Sequence, residues 1–360
     1  MKTHKNDKKI LMSGNDACGE GALLAGCTFY AVYPITPQNE LTEFMARRME
    51  EAGGVFIQSE SEVAAINMIF GAAATGARAM TSSSSPGISL KQEGISYIAA
   101  CELPVVIVNI MRGGPGLGNI APAQSDYFQA TRGGGHGDYR SFVLAPASVQ
   151  EMMELTVLAF DLADDYRMPA MILGDGLIGQ MMEPVVMMQV PGSKNKKEKN
   201  WALTGCAGRK PRIIKSLILE EGALEAFNYK LQEKYAQAKK AETRFEAVNT
   251  EDAECILVGY GSVARTLRAV MLRLRAQGVK VGLVRPITLW PFPEKELARL
   301  AQKTKRFFVV EMSCGQMVED VRLAVNGAAA VDFFGRPGGG IPGEEEIIAK
   351  ILGAKAQAKK

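Results

Sequence analysis

The sequence predicts an α/β protein made of two successive domains. In residues 10 to about 190, short β-branched runs alternate with longer amphipathic segments, an order typical of a parallel sheet with helices on both faces. From about residue 253, the order of strand, glycine turn, helix and strand begins again. A chain of 360 residues is also too long for one average domain. We therefore predict domains at residues 1–190 and 253–360, joined by a connector at 191–252 that contains a helix.

Each element of the first domain is predicted from its hydrophobic pattern and from the residues that flank it. β-Branched runs bounded by turn residues predict strands at 29–33, 55–58, 78–82, 105–111, 141–144 and 170–173. Longer amphipathic segments predict helices at 14–25, 37–52, 62–75, 90–102 and 149–165. Loops rich in Gly and Ser follow several of these strands, and open α/β sheets bind their ligands at such loops.

The connector and the second domain have patterns of their own. Residues 182–205 combine Pro, Gly and a Lys-rich run, which is typical of an exposed connector. Residues 224–245 form a predicted helix with apolar and aromatic side chains along one side. In the second domain, a strand, a glycine turn, a helix and a strand precede a further strand at 307–312.

The glycine turn at residues 259–264, GYGSVA, fits the loose dinucleotide fingerprint G-x-G-x-x-G/A. In that fingerprint an acidic residue ends the next strand and binds the ribose, but Arg285 and Pro286 stand there in this chain. Close packing of the helix on the strand explains the glycines more simply than nucleotide binding does.

The composition restricts the classes of chemistry open to this chain. Its net charge of +3 does not indicate nucleic acid or acidic membranes, and no run of apolar residues reaches the length of a membrane span. The cytoplasm is therefore the predicted location. With two histidines, six scattered cysteines and no C-x-x-C, we expect no histidine metal site, no Ser-His-Asp triad and no iron–sulfur cluster on this chain.

The most informative stretch is residues 58–87, QSESEVAAINMIFGAAATGARAMTSSSSPG. It sets Glu62 at the head of a small, apolar helix that a Ser-rich turn follows. Apolar surroundings disfavour a charged carboxylate, and a carboxyl group tuned in this way can exchange protons near neutral pH. Ser59 and Glu62 also have the S-x-x-E spacing of a capping box, in which Glu62 would only satisfy a backbone N–H. These residues alone leave both interpretations open.

Two further loops hold candidate ligand residues. In YPITPQNE, residues 33–40, Thr36 precedes Pro37 and is a predicted N-cap, although a helix N-terminus with a free hydroxyl also suits a small carboxylate. In NIMRGGPGLGN, residues 109–119, Arg112 ends an apolar strand and enters four glycines. Arg112 could bind a carboxylate from this rigid base or could form a surface salt bridge, and the residues do not decide between the two.

Residues 174–176, GDG, begin like the magnesium- and diphosphate-binding signature of thiamine diphosphate enzymes. That signature needs a helix and a strand before its metal-binding Asn. Pro184, Pro191 and the Lys-rich run stand before Asn200 instead, so we reject this interpretation and predict a tight turn.

Taken together, these motifs resemble the α subunit of the 2-oxoacid:ferredoxin oxidoreductases. The resemblance extends over VYPITPQNE, ESEVAAINMIFGAAATGARAMTSSSSPGISLKQEGISY, ELPVVIVNIMRGGPGLG and APAQSDYFQATRGGGHGDYR, and over nearly the whole chain. Within the family the chain looks most like the branched-chain type, which acts on 3-methyl-2-oxobutanoate, because TSSSSPG stands where the oxoglutarate type usually has TATSGPG. The implied fold is a pyrimidine-binding domain of a thiamine diphosphate enzyme followed by a transketolase C-terminal-like domain.

The resemblance also implies site residues, cofactors and partners. Glu62 matches the glutamate that contacts the aminopyrimidine ring and shares a proton with it, and Ser84 and Ser85 fall in the cofactor-binding turn. Thr36 and Arg112 match positions that contact the 2-oxoacid. A β subunit would bind Mg²⁺ and the diphosphate, and γ and δ subunits would complete the complex, the ferredoxin-like one with [4Fe–4S] clusters. Coenzyme A would accept the acyl group and ferredoxin the electrons.

Three other functions remain to be weighed against this one. The same reaction could act on 2-oxoglutarate, whose second carboxylate would need a further cation. The chain could instead be a non-catalytic subunit that docks a partner enzyme. A standalone nucleotide-dependent dehydrogenase is disfavoured, since the acid that binds ribose is missing.

Overall fold

The computed structural model describes residues 9–188 and 198–357. The basic first eight residues and most of the Lys-rich run of the predicted connector lie outside these ranges. The elements up to residue 188 are β1 (Lys9–Ser13), α1 (Gly14–Leu24), β2 (Phe29–Val32), α2 (Asn39–Glu51), β3 (Val55–Gln58), α3 (Glu62–Ala74), β4 (Ala79–Ser83), α4 (Ser85–Ala100), β5 (Val105–Met111), α5 (Tyr127–Arg132), β6 (Phe142–Leu144), α6 (Val149–Tyr166), β7 (Ala170–Asp175), α7 (Gly176–Gln180) and β8 (Met182–Val186).

The second half begins with a long helix and then alternates strands and helices. Its elements are α8 (Ala223–Ala241), β9 (Phe245–Val248), β10 (Cys255–Val258), α9 (Gly261–Ala276), β11 (Val281–Pro286), β12 (Thr288–Trp290), α10 (Glu294–Ala301), β13 (Arg306–Glu311), α11 (Met317–Val325), β14 (Ala330–Gly335) and α12 (Glu344–Gln357). The helix predicted at 224–245 therefore ends four residues early, and Phe245 instead begins a strand.

Seven strands form the larger sheet, in the order β12-β6-β7-β5-β4-β2-β3. All neighbours are parallel except β12, which pairs antiparallel with β6. Alternate residues of β5 show that both faces are covered. Val105 and Ile107 pack in the core with α3 and α4, whereas Val106 and Val108 pack in the core with α1, α2 and α6. The parallel sheet with helices on both faces is present as predicted.

The smaller sheet has five strands in the order β14-β13-β10-β11-β9, with β9 antiparallel to β11 and the rest parallel. Helices α9 and α12 pack against this sheet and complete an apolar core with it. The two sheets share a core, because one apolar cluster continues from β5, α3 and α4 to β10 and β13. Strand β12 of the second half also lies in the larger sheet. The domain ranges given above stay a prediction.

The length and apolar character of the helices decide whether any of them could cross a membrane. Within residues 9–188 and 198–357, no helix is both long and apolar enough to cross a membrane.

Candidate active site

The candidate residues lie at one edge of the larger sheet. Strands β2, β3, β4 and β5 are parallel neighbours or near neighbours, so their carboxyl ends meet at that edge. Thr36 follows β2, Glu62 follows β3, Ser84 follows β4 and Arg112 follows β5. The fold thus gathers four loops that are up to 76 residues apart in sequence.

Glu62 is the first residue of α3, and its side chain is buried. Ser61, not Ser59, caps this helix, because its hydroxyl accepts the N–H of Ala64. The Ser59 hydroxyl instead donates to the carbonyls of Val32 and Ser61. The predicted capping box is therefore wrong: the helix begins too late for Glu62 to reach back as its N3 partner.

Gly87 packs closely against Glu62 and Ser83. A Cβ placed on Gly87 would stand 2.1 Å from the Ser83 Oγ atom and 2.6 Å from the Glu62 Oε1 atom. The hydroxyls of Ser83 and Ser84 are fully buried and have no hydrogen-bond partner among the described residues. Because buried polar groups are normally paired, these two hydroxyls and the Glu62 carboxylate indicate a site for a polar ligand.

The Ser-rich segment is not the turn that the sequence predicts. Ser83 ends β4, Ser84 is the N-cap of α4, and the helix begins at Ser85, five residues before the predicted start. Pro86 in the first turn is compatible with this early start, since that position needs no N–H partner. The small side chains therefore lie in a strand end and a first helical turn.

Ser85 differs from Ser84 in that its hydroxyl already has partners. It donates to the Asp126 carboxylate at 2.6 Å and accepts the backbone N–H of Arg112 at 3.1 Å. Asn109 also donates to Asp126, and burial raises the pKa of that carboxyl. Ser85 thus ties α4 to the end of β5 and fixes the backbone that presents Arg112.

Arg112 and Thr36 are brought into direct contact. The Arg112 Nη1 atom donates to the Thr36 carbonyl at 3.0 Å, and Nη2 donates to the Leu117 carbonyl at 3.1 Å. Within the described part of the chain, the Arg112 Nε atom has no hydrogen-bond partner, and the residue is only 9% exposed. No carboxylate in the described ranges forms an ion pair with it, so the surface salt bridge is wrong. A buried guanidinium without a counter-ion favours an anionic ligand.

Thr36 is not the N-cap of α2. The Gln38 N–H donates to the Ile35 carbonyl and closes a short turn, so the helix begins at Asn39 with Gln38 as N-cap. The Thr36 hydroxyl accepts the Asn39 side-chain amide at 3.3 Å, and its own proton stays available. The predicted cap is wrong, since this turn delays the helix by two residues. No hydrogen bond between described residues joins Glu62 to Thr36 or Arg112.

Sequence reasoning missed Lys91, the most unusual residue of the site. Its side chain is fully buried on α4, where Nζ donates to the Thr81 hydroxyl at 2.7 Å and to the Ser82 carbonyl at 2.8 Å. Burial lowers the pKa of Lys91 to about 7, and the nearby Glu62 carboxylate opposes part of that shift. A helix beginning at Ser85 would have placed Lys91 on the same face as Gly87, four residues away.

Asp175 explains both the GDG sequence and the glycine turn. It is the N-cap of α7, where it accepts the Ile178 N–H, so the predicted tight turn is wrong. The Asp175 Oδ2 atom also accepts the backbone N–H and the hydroxyl of Ser262, at 3.0 and 2.8 Å. The start of α9 thus already holds a carboxylate, which supports the close-packing explanation of Gly259 and Gly261 over nucleotide binding.

Arg285, which stands where the ribose acid would, has a structural role. Its guanidinium binds the Glu151 carboxylate through two hydrogen bonds of 2.7 and 2.8 Å and contacts Glu246 at 3.1 Å. Glu151 lies on α6 of the first half, so this buried cation joins the two halves.

Two sequence families match this chain. Residues 20–249 match the family described as pyruvate flavodoxin/ferredoxin oxidoreductase, thiamine diphosphate-binding, and residues 253–347 match the pyruvate:ferredoxin oxidoreductase core domain II. The first match spans more than half of the chain. The chain belongs to the 2-oxoacid:ferredoxin oxidoreductase family. The resemblance seen in its motifs is confirmed.

Individual relatives agree with this family. The chain is 48% identical over 341 residues to the ketoisovalerate oxidoreductase subunit VorB of Methanothermobacter thermautotrophicus, covering 95% of this chain and 96% of the relative. It is 41% identical over 333 residues to the 2-oxoglutarate synthase subunit KorA of Archaeoglobus fulgidus, covering 90% and 94%. The first of these relatives supports the branched-chain type.

Solved structures confirm the fold class. The 2-oxoglutarate:ferredoxin oxidoreductase from Magnetococcus marinus, with 2-oxoglutarate, coenzyme A and succinyl-CoA bound, superposes with a TM-score of 0.86 at 26% identity over 98% of this chain and 66% of that chain. A split-gene transketolase, as an inactive β4 tetramer, gives 0.59 at 13% identity over 98% and 99%, and so shows the fold alone.

As an oxidoreductase of this family, the chain acts on the oxo group of a donor, with an iron–sulfur protein as acceptor. The family uses thiamine diphosphate, coenzyme A and [4Fe–4S] clusters, as the resemblance implies. The residues present fit the first of these, since Glu62 is buried near the Ser83 hydroxyl, and the hydroxyls of Ser83 and Ser84 have no hydrogen-bond partner among the described residues. In the described part of the chain, no group of three or more His, Cys, Asp or Glu could hold a metal ion.

The variant Gly87→Ala tests whether the cofactor binds next to Glu62. The added methyl group would overlap the Ser83 Oγ and Glu62 Oε1 atoms, and overpacking of this kind costs about 1–3 kcal/mol. We expect the affinity of the assembled complex for thiamine diphosphate, measured by calorimetry, to fall at least ~10-fold. Gly353→Ala on α12 is the matched control, because nothing lies within 4 Å of its added Cβ. Equal affinities of the two variants would contradict this placement of the ligand.

Proposed function

We propose that this chain is the α subunit of a 2-oxoacid:ferredoxin oxidoreductase that acts on 3-methyl-2-oxobutanoate. The reaction joins the acyl group to coenzyme A, releases carbon dioxide and passes two electrons to ferredoxin. The observation that carries the proposal is the buried Arg112 guanidinium, which has an unpartnered Nε and no carboxylate beside it in the described ranges. A 2-oxoacid supplies the anion that this guanidinium lacks.

Thr36 and Arg112 together would bind the carboxylate of the substrate. The contact between Arg112 and the Thr36 carbonyl holds the guanidinium in place, and Ser85 fixes the backbone of Arg112 from the other side. The Thr36 hydroxyl still has its proton to donate. A cation and a hydroxyl on a rigid strand end can therefore orient one carboxylate.

The loops favour a substrate with one carboxylate. Residues 33–40, 59–62, 83–87 and 112–119 contain a single cation, Arg112, whereas the second carboxylate of 2-oxoglutarate would need another. The higher identity to the ketoisovalerate subunit than to the 2-oxoglutarate subunits supports the same choice. A branched alkyl group needs only apolar lining, such as Ile35 can give.

Glu62 would act on the cofactor rather than on the substrate. When bound, thiamine diphosphate supplies the carbon nucleophile for the 2-oxo group and stabilises the negative charge that decarboxylation leaves. The Glu62 carboxylate would contact the aminopyrimidine ring and hold or return one proton there. Ser84 would donate its free hydroxyl to the same ligand, and Ser85 would keep the start of α4 in position.

The complex would need further chains. The relatives are named as subunits, and Asp175 of GDG is already bound within this chain. We propose a β subunit that binds Mg²⁺ and the diphosphate. Subunits γ and δ would complete the complex, and the ferredoxin-like one would hold the [4Fe–4S] clusters that pass electrons to ferredoxin. A cytoplasmic location stays part of the proposal.

The test is anaerobic dye reduction that depends on coenzyme A, after co-expression with the candidate β, γ and δ chains. The substrates are 3-methyl-2-oxobutanoate, pyruvate and 2-oxoglutarate. We expect preference for 3-methyl-2-oxobutanoate. Activity on 2-oxoglutarate alone would keep the family and refute the substrate. No activity from a complete complex loaded with cofactors would favour a docking subunit.

Arg112→Met tests the carboxylate site. A hydrogen bond to a charged group contributes about 1.5–3 kcal/mol, so the KM for the 2-oxoacid should rise about 10- to 100-fold. The affinity for thiamine diphosphate should stay unchanged, because Arg112 is placed on the substrate. Arg47→Met, at an exposed position of α2, is the control. An unchanged KM in Arg112→Met would exclude Arg112 from substrate binding.

A further inference from the structure

The Lys91 side chain makes polar contacts that the filling of the core does not require. Its Nζ donates to the Thr81 hydroxyl and to the Ser82 carbonyl, both at the end of β4. Thr81 donates its own proton to the Ala31 carbonyl at 2.7 Å, so it accepts from Lys91. A charged lysine has three N–H donors, and two are used here. A core position that needed only volume would hold an apolar residue at lower desolvation cost.

The packing of α3 on α4 places Lys91 next to Glu62. Gly87 meets the Glu62 side chain, and Gly94 meets Ile66, the residue one turn later on α3. Lys91 lies between these two contacts on α4, and helical side chains lean towards the helix N-terminus. Its stem therefore runs towards Gly87, and its ammonium group ends within electrostatic range of the Glu62 carboxylate.

Few other groups near Lys91 can hold a charge. From α3, Glu62 faces it. From β4, the neighbours are the Thr81 hydroxyl and the Ser82 carbonyl, both neutral. Behind Ser82 lies the phenol of Tyr30, whose pKa is raised by burial. Among the described residues, Glu62 is therefore the acidic group whose charge acts on Lys91, and its carboxylate attracts the Lys91 ammonium group.

We propose that Lys91 is a positioning residue that acts through Glu62, attracting its carboxylate by charge and keeping it directed at the cofactor site. The inference rests on the proposed role of Glu62 and adds a second residue to it. It follows that Lys91 influences the turnover of the complex, although it lies behind Glu62.

The experiment is a double-mutant cycle on the assembled complex with Lys91→Met, Glu62→Gln and the double variant. The readouts are the pH profile of turnover and the affinity for thiamine diphosphate at each pH. In Lys91→Met, the acidic limb of the turnover profile should move to higher pH by about one unit, because the loss of a neighbouring positive charge makes a carboxyl group harder to ionise. The double variant should match Glu62→Gln within about twofold, since Lys91 then has no carboxylate to act on.

Controls separate this role from a purely structural one. Lys234→Met is the matched control, because Lys234 is a largely buried lysine paired with a glutamate, Glu102, away from the site. It should keep the wild-type profile. Lys91→Gln retains a hydrogen-bonding end without the charge, so it should show the same shift as Lys91→Met, and it replaces that variant if the methionine does not fold.

The experiment distinguishes failure of the role of Lys91 from failure of the role of Glu62. An inactive Glu62→Gln with an unshifted profile in both Lys91 variants would overturn the role of Lys91 and leave the proposed function intact. Additive losses in the double variant would overturn it too. Full activity of Glu62→Gln would refute the role of Glu62 and, with it, that of Lys91.

Discussion

Glu62→Gln is expected to lower the turnover of the assembled complex at least ~100-fold, the size of a lost acid–base step. The amide has nearly the same shape as the carboxyl group but cannot exchange a proton with a ring nitrogen. Glu62 is buried at the head of α3, beside Gly87 and the unpartnered Ser83 hydroxyl, so the replacement has little room to move. The measurement is dye reduction with saturating 2-oxoacid and coenzyme A.

Glu60→Gln is the matched control for this change. Glu60 lies two residues earlier, is exposed and accepts a hydrogen bond from the Ser61 hydroxyl. It should turn over like the wild type. The subunits of both variants should co-purify in wild-type proportions, which separates lost chemistry from lost assembly. Turnover near wild type in Glu62→Gln would remove Glu62 from the mechanism.

Lys91→Met is expected to change how the stability of the chain depends on pH. Burial lowers the pKa of Lys91 from 10.5 to about 7 in the folded state. Between these values the unfolded chain binds a proton that the folded chain lacks, so the free energy of unfolding of the wild type rises with pH. Relative to Lys91→Met, the wild type should gain roughly 2 kcal/mol between pH 7 and pH 9.

This gain is measured from the difference in unfolding free energy between wild type and Lys91→Met, followed as the pH changes. Urea unfolding of wild type and Lys91→Met at pH 7, 8 and 9 cancels the titration of every other group. The hydrogen bonds lost at Thr81 and Ser82 add an offset that does not depend on pH. Curves that run parallel over this range would show that Lys91 is not protonated differently in the two states.

Local patterns predicted most of the fold. Strands β3 and β5 have the bounds that their β-branched runs predict, because a central parallel strand is apolar throughout and ends at clear turn residues. Long-range pairing was not predictable. Strand β12 has three residues and pairs with β6, about 140 residues away, and β9 lies in what the sequence presents as a connector. Neither strand has a local sequence pattern that indicates which strand it pairs with.

Sequence motifs marked candidate residues, whereas the residues that pack around them were not predictable. Glu62, Thr36 and Arg112 follow strand ends, where their motifs predict them, and their roles stay a prediction. Lys91 was missed because the helix was expected to begin at residue 90, which would have put a lysine in an exposed first turn. Ser83 was missed because its lack of a partner is visible only once α3 and α4 are packed.

The place of strand β12 in the larger sheet limits how the two halves can move against each other. Turning one sheet against the other would pull β12 away from β6, break the Arg285 ion pairs and split a continuous core. Strand β12, the Arg285 ion pairs and the shared core thus resist rotation of one half on the other. Motion that opens the candidate site is therefore expected in smaller parts of the chain, such as the glycine-rich segment 113–121, whose Leu117 is 80% exposed.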